Sequence, residues 1–349
     1  MQNQTLENKF LPYKIVIDFA KGVRTAIPSE EASFIFKVAK EGKLLSLFCD
    51  YIDLFIGDSR RYLEKRCLLS KLYSEHLNII SEALNASGIE YYVFKTLKPF
   101  PYDMTDLDLL FANRKDMLLA SKILIEKYNF KPIAKGTYSI SLRKTIGDFD
   151  IDLDLQAKMS AGTFEYIEVS TIKNVIGEIG CIDRGLSLLK PELELIAIIG
   201  HAFYKDFSIS LANILHFEYL RETAARSPLT MIFDYYPYLL KPFKMLNYLA
   251  NSLRDITCES KHSTKKDSPR SLEYLLVTKS IRKALRKKRG MFPLPMTIIV
   301  NNYIETAKVL IKNRKFHQLK ELSNLPRSRG VGLLFRRLGI LPPEETIRI

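Results

Sequence analysis

The chain has 349 residues, 47% hydrophobic and 26% charged, with no low-complexity tract. This is the composition of a folded globular protein with room for two or three domains, and it excludes a disordered chain. The net charge is +14, and no apolar run has the length of a membrane span, since the stretch at 196–200 soon meets His201 and charge.

The charge is unevenly placed. Residues 251–349 hold 22 Lys/Arg against 8 Asp/Glu, whereas residues 1–250 balance at 31 of each. The whole excess therefore lies in the last hundred or so residues and points to an acidic partner there. The four cysteines, Cys49, Cys67, Cys181 and Cys258, are far apart and form no Cys-x-x-Cys. Neither a zinc site nor a disulfide framework is expected, and a reducing cytoplasm is the default location. The polar N-terminus and the lack of a small-residue cleavage site after residues 15–20 do not resemble a signal peptide.

In chain order, residues 30–87 read as helices. Leu45, Phe48, Ile52 and Phe55 recur every three or four residues, as do Leu69, Leu72, Leu77, Ile80 and Leu84. The run Tyr91-Tyr92-Val93-Phe94, between Gly88 and the Pro99/Pro101 pair, predicts a buried strand, and residues 107–111 a second. Asn113 is placed to cap a helix to about Tyr128, with Leu118, Leu119, Ile123 and Leu124 on its inner side. Residues 138–143 and 149–155 alternate around a turn at Gly147, a hairpin with Asp150, Asp152 and Asp154 on one face. Helical periodicity returns from Pro191 through Phe217 and, after a break near Pro228, to about Leu253. Residues 255–270 are polar and aperiodic, a linker candidate. Further helices follow, with a Pro-rich break at 292–295 and a Gly/Arg segment at 326–332.

Asp106-Leu107-Asp108 is the pair that carries chemistry. On a strand, residues i and i+2 share a face, so both carboxylates can hold one hard cation. An Asp-x-Asp alone is common by chance, and a solvated strand edge is the bland alternative. Aspartate is disfavoured in strands, however, and if the two strands are neighbours in one sheet their clustered aspartates repel one another unless a cation lies between them.

The segment Val93-Phe94-Lys95-Thr96, then a nine-residue Pro-containing loop, then Asp106-Leu107-Asp108-Leu109-Leu110, resembles the core of the DNA polymerase β-like nucleotidyltransferase superfamily. It is most similar to the uncharacterised, largely prokaryotic branch of standalone members. Asp154-Leu155-Gln156 and Pro191-Glu192 with His201 extend the likeness, which covers residues 88–220. The resemblance implies that Asp106, Asp108 and Asp154 bind Mg²⁺ or Mn²⁺, with Asp152 as the substitute third carboxylate. Asp154 would also deprotonate the acceptor, and Lys95 and Thr96 would touch phosphate oxygens of a nucleoside triphosphate. Lys95-Thr96 stands where the family has Gly-Ser, and the two residues read equally as the end of a strand. Asn213 stands where an acidic residue is expected, and His201 is either a core histidine or one facing the nucleotide.

Lys279, Arg282, Lys283, Arg286 and Lys287 fall on one helical face, with Ile281 and Leu285 on another, and Lys288 and Arg289 extend the charge. No acidic residue occurs between Tyr274 and Glu305. The strip suits a phosphate backbone, with RNA ahead of membrane. More cations follow at Lys312, Arg314, Lys315, Arg327, Arg329, Arg336 and Arg337.

The expectation is an α/β (α+β) fold: a small mixed-sheet nucleotidyltransferase core at 89–190 and a helical N-terminal region at 1–88. A helical domain at 191–254, a linker at 255–270 and a basic helical region at 271–349 complete it. The expected activity is Mg²⁺-dependent transfer of a nucleoside monophosphate to a hydroxyl-bearing acceptor, RNA or transfer RNA included. The rivals are a catalytically lost RNA-binding relative and a small-molecule, antibiotic-type transferase.

Overall fold

A computed structural model describes residues 2–161, 164–183, 185–257, 272–287 and 289–324. In chain order come α1 (Gln2–Ala20), α2 (Ala32–Gly42), a 3₁₀ segment (Leu45–Leu54), α3 (Gly57–Ala86), β1 (Tyr91–Val93), β2 (Leu107–Phe111) and α4 (Arg114–Tyr128). Then follow β3 (Lys131–Lys135), β4 (Ser139–Ile146), β5 (Phe149–Gln156), β6 (Met159–Ala161), β7 (Phe164–Ile167), α5 (Val169–Ile176), β8 (Gly180–Asp183) and β9 (Leu186–Leu189). The remainder is α6 (Pro191–Gly200), a π-helical turn (His201–Asp206), β10 (Ser208–Ser210), α7 (Leu211–Thr223), α8 (Arg226–Tyr235), α9 (Leu240–Thr257), α10 (Leu272–Arg286), β11 (Met291–Pro293), α11 (Met296–Lys312) and α12 (Phe316–Asn324).

The expected mixed α/β class is present. Seven strands form one mixed sheet in the order β3-β4-β5-β2-β1-β9-β8. Its centre is the parallel pair β2–β5, flanked by the antiparallel neighbours β1 and β4. The expected β4–β5 hairpin turns at Gly147, whose φ of 56° is the left-handed backbone that glycine adopts without a Cβ penalty. Helices α3 and α4 pack on the sheet. The Asn113 side chain accepts from Asp116 N–H at 2.9 Å and starts α4 where the sequence places it.

Several readings are corrected. In α4 the inner residues are Met117, Ala120, Ser121 and Leu124, while Leu118 and Leu119 are 37% and 44% exposed. Helix rotation is set by the i, i+3, i+4, i+7 row that meets the sheet, here 117, 120, 121 and 124, and positions 118 and 119 fall outside that row. The expected break near Pro228 falls at Ala224 and Ala225, both extended, and Pro228 sits in the first turn of α8. The Pro-rich stretch at 292–295 contributes β11, which pairs with β10. Cys49 and Cys67 form a disulfide, against expectation, because the 3₁₀ segment folds back along α3 and brings their Cα atoms to 5.7 Å. Their spacing carries no motif, so only this packing reveals the pair, and the cysteine argument for a reducing compartment lapses. Residues 258–271, most of the expected linker, lie outside the described residues, as does the Gly/Arg segment.

Regions that read separately along the chain share one core. Buried apolar residues form a continuous cluster from Tyr13 to Leu322. Among the described residues no helix is long and apolar enough to cross a membrane.

Closing an 18-residue separation with a disulfide stabilises a fold by about 3 kcal/mol, mainly by restricting the unfolded chain. Cys67→Ser should therefore lower the urea midpoint, and reductant should do the same to the wild type but not to the variant. Equal midpoints for oxidised and reduced wild type would show that the bond contributes nothing.

Candidate metal centre

The geometry starts from strand register. Asp108 lies directly opposite Asp154 across the parallel β2–β5 pair. Asp106, two residues before Asp108, shares its face at the strand's entrance. One carboxylate oxygen from each of the three lies within 4.8 Å of the others, and only oxygen donors are present. Such a set can hold a hard divalent cation.

Asp108 is 6% exposed. Its Oδ1 accepts from Lys95 Nζ at 2.9 Å and from Gln156 Nε2 at 2.9 Å. Burial pushes its carboxyl up to about 6; Lys95 opposes the shift, and Asp106 and Asp154 add to it. Asp154 Oδ1 accepts from Ser141 Oγ at 2.5 Å, which fixes that carboxylate from the neighbouring strand. Asp106 Oδ1 accepts from Thr105 Oγ at 2.9 Å.

The choice between Asp154 and Asp152 follows from partners. Arg143 on β4 donates to both Asp152 oxygens, at 2.6 and 2.9 Å, and its third nitrogen meets Asp150 at 3.2 Å. Both outer aspartates of the hairpin are thus paired with one guanidinium, and the triad contains Asp154.

Lys95 and Thr96 divide. Lys95 Nζ donates to Asp108 and, at 3.0 Å, to His201 Nε2. Burial and Lys95 hold the His201 imidazole well below its usual range, so its Nε2 is an acceptor. The Lys95 backbone has φ 59°, the left-handed region that favours glycine, and its N–H donates to Glu194 Oε1 at 2.7 Å. Thr96 is 1% exposed. Its hydroxyl accepts from Asp108 N–H at 2.8 Å and donates to Phe94 O at 3.2 Å, so it braces β1 to β2 and is not open to a ligand.

Several residues that sequence reasoning passed over also converge. Glu194, buried in α6, and half-buried Lys98 oppose each other electrostatically; burial raises the carboxyl and lowers the ammonium. Lys98 Nζ lies 3.4 Å from His216 Nδ1, and burial drives that imidazole neutral. Lys205, on the π-helical turn, acts on both Asp108 and His201. Lys43, at φ 61° after α2, acts on His201 and Lys98 and reaches Thr105 Oγ at 3.5 Å. The signal for Glu194 was present in the sequence, since a carboxylate in the apolar run 193–200 requires a buried partner. No sequence signal marked Lys43 or Lys205. Glu192, quoted with Pro191, instead accepts from Ala225 N–H at 2.6 Å and anchors the start of α8. Asn213 lies in the first turn of α7, where its N–H donates to Ser210.

The cationic strip stands apart on α10. Lys279, Arg282, Lys283, Lys287 and Arg289 are exposed, while Val277, Ile281, Ala284 and Leu285 are buried. The side chain of Arg286, Lys288 and the cations at 327, 329, 336 and 337 lie outside the described residues. No family model, curated protein or solved structure matches the chain.

A carboxyl whose pKa rises on folding is protonated more tightly in the folded state, so stability falls as pH climbs from its unfolded value to its folded one. For Asp108 that window runs from roughly pH 4 to about 6. In EDTA, the stability of wild type relative to Asp108→Asn should decline by up to about 3 kcal/mol across the window and stay flat above it. Urea unfolding at half-unit pH steps measures this. A difference independent of pH would show that burial does not raise the Asp108 carboxyl.

Proposed function

We propose that this chain is a divalent-metal-dependent nucleotidyltransferase, which moves a nucleoside monophosphate from a nucleoside triphosphate to a hydroxyl. The observation that carries the reading is the Asp108–Asp154 register with Asp106 beside it, three carboxylates within 4.8 Å, with Lys95 on Asp108 at 2.9 Å and the charges of Lys98, Lys43 and Lys205 acting on the same cluster. A site for a cation alone needs no lysines, and a site for an anion alone needs no aspartates. Both together suit a metal–triphosphate, whose two parts carry opposite charge.

Asp106, Asp108 and Asp154 would hold Mg²⁺ or Mn²⁺, which when bound polarises a phosphoryl oxygen and offsets its charge. The protein's own groups do the rest. Asp154, aimed by Ser141, takes the proton of the acceptor hydroxyl. Lys95 neutralises Asp108 and, beside a triphosphate, can turn its ammonium to phosphate oxygens; Lys43, which reaches Thr105 next to Asp106, and Lys205, whose charge acts on Asp108, add to the positive potential. Gln156 keeps the Asp108 carboxylate oriented. Neutral His201 accepts from Lys95 and so sets where its ammonium lies. The left-handed Lys95 backbone also fits the sequence resemblance, because the position is a glycine in the resembling family.

One observation favours a second reading. Lys95 already supplies a counter-charge to Asp108, which suits a relative that has lost its chemistry and keeps the fold for binding. Turnover separates the two. Purified protein with Mg²⁺ and labelled nucleoside triphosphates should release pyrophosphate and transfer label. Asp106→Asn or Asp108→Asn should abolish Mg²⁺-dependent nucleotide binding. Asp154→Asn should keep that binding and lower transfer by about 10²–10⁴-fold, the usual contribution of a general base, whereas Asp152→Asn should have little effect. Wild-type nucleotide binding indifferent to Mg²⁺, with no pyrophosphate, would leave the second reading standing.

A further inference from the structure

The cations of α10 have a direct structural route to the aspartates. After α10 the chain reaches Gly290, which sits backbone to backbone on the end of α2. A Cβ at Gly290 would lie 2.1 Å from Gly42 N and 2.3 Å from Val38 O, so no side chain fits. Gly290 N–H donates to Glu41 at 3.2 Å, Leu211 N–H donates to Gly290 O at 2.9 Å, and Tyr13 OH donates to Arg289 O at 3.0 Å. The residue after Gly42 is Lys43, whose ammonium reaches Thr105, and Thr105 donates to Asp106. Just beyond, β11 pairs with β10, which directly follows the turn bearing Lys205. The end of the basic helix is thereby seated between the two segments that bring Lys43 and Lys205 to the metal centre.

The strip itself is free to bind. Among the described residues none of Lys279, Arg282, Lys283, Lys287 and Arg289 is in a salt bridge. Five like charges, none held in a salt bridge among the described residues, repel one another, and a polyanion relieves that repulsion. A bilayer is the poorer partner. The apolar side of α10 is packed into the protein, with Val277, Ile281 and Leu285 at 1% exposure, so no apolar face remains to enter acyl chains. From Lys279 to Lys287 the helix rises about 12 Å, the span of a few phosphates on one strand.

We infer that the acceptor is the end of a single-stranded RNA, laid along the exposed face of α10 and led past Lys43 to the metal centre. This rests on the nucleotidyl-transfer reading and names its acceptor: the terminal ribose hydroxyl would take the nucleoside monophosphate, pyrophosphate would leave, and Asp154 would take the proton.

The test uses full-length protein and a short mixed-sequence single-stranded RNA with a free 3′ hydroxyl. For wild type, log K should fall linearly with log salt, each contact contributing a slope of about −0.7. Changing Lys279, Arg282, Lys283 and Lys287 together to Gln should flatten the slope by roughly 2–3 units. It should also raise the KM for RNA in the transfer assay while kcat and Mg²⁺–nucleotide affinity stay unchanged. RNA binding should persist in Asp106→Asn, whose metal centre is disabled. An unchanged salt slope, tighter binding to the matching DNA, or preferential binding to anionic phospholipid vesicles would overturn the inference while leaving the transferase reading intact. A wild type that binds RNA as expected but neither binds Mg²⁺–nucleotide nor labels the RNA would overturn both.

Discussion

The parallel pairing of β2 with β5 sets the electrostatics of the whole molecule. It aligns Asp108 with Asp154 and leaves Asp106 beside them. Three carboxylates so close repel, and one of them is buried, where charge is least tolerated. The surrounding structure answers that constraint with lysines. Lys95 gives its ammonium to Asp108 and takes up a left-handed backbone that only glycine adopts freely. Glu194 then receives the Lys95 N–H, and Lys98 answers Glu194.

The constraint reaches the N-terminal helices through Asp103, in the loop that leads to Asp106. Its buried carboxylate accepts from Leu45 N–H, Ser46 N–H and Ser46 Oγ and pairs with Arg66 at 3.4 Å. Its own N–H donates to Lys43 O at 2.9 Å. One acidic side chain therefore starts the 3₁₀ segment, ties it to α3 and fixes the turn that aims Lys43 at Thr105. The Cys49–Cys67 disulfide closes the same small region covalently. The helices before the sheet are thus part of the centre's scaffold, which explains why one apolar cluster runs through regions that look separate along the chain.

Functionally, the arrangement collects its cations from three places: the end of α2, the loop between β1 and β2 and the π-helical turn. A π-helical turn adds a residue to a helix and is often retained where a side chain must be re-aimed. Here it follows an α6 that is buried from Glu192 to Gly200, and it carries both His201, whose Nε2 meets Lys95, and the exposed Lys205, whose charge acts on Asp108. The neutral His201 and His216 accept from Lys95 and Lys98 without adding charge of their own.

The sequence by itself determined β2, the α4 cap, the β4–β5 hairpin and the same-face spacing of Asp106 and Asp108. Each of these rests on a local rule, whether period-two alternation, a cap side chain or a glycine turn, and needs no knowledge of distant residues. It also determined the split of α10 into a charged and an apolar face. Tertiary structure alone decided that Asp154 and not Asp152 completes the triad, because that depends on which aspartates Arg143 claims from the next strand. It decided that Thr96 braces β1 to β2, that Leu118 and Leu119 face outward, and that Cys49 meets Cys67. It also decided that Lys43 and Lys205 join Lys95 and Lys98, whose spacing in sequence carries no period. Local rules act over a few residues, whereas pairing between strands, helix rotation against a sheet and charge neutralisation across the core are settled only when the chain closes on itself.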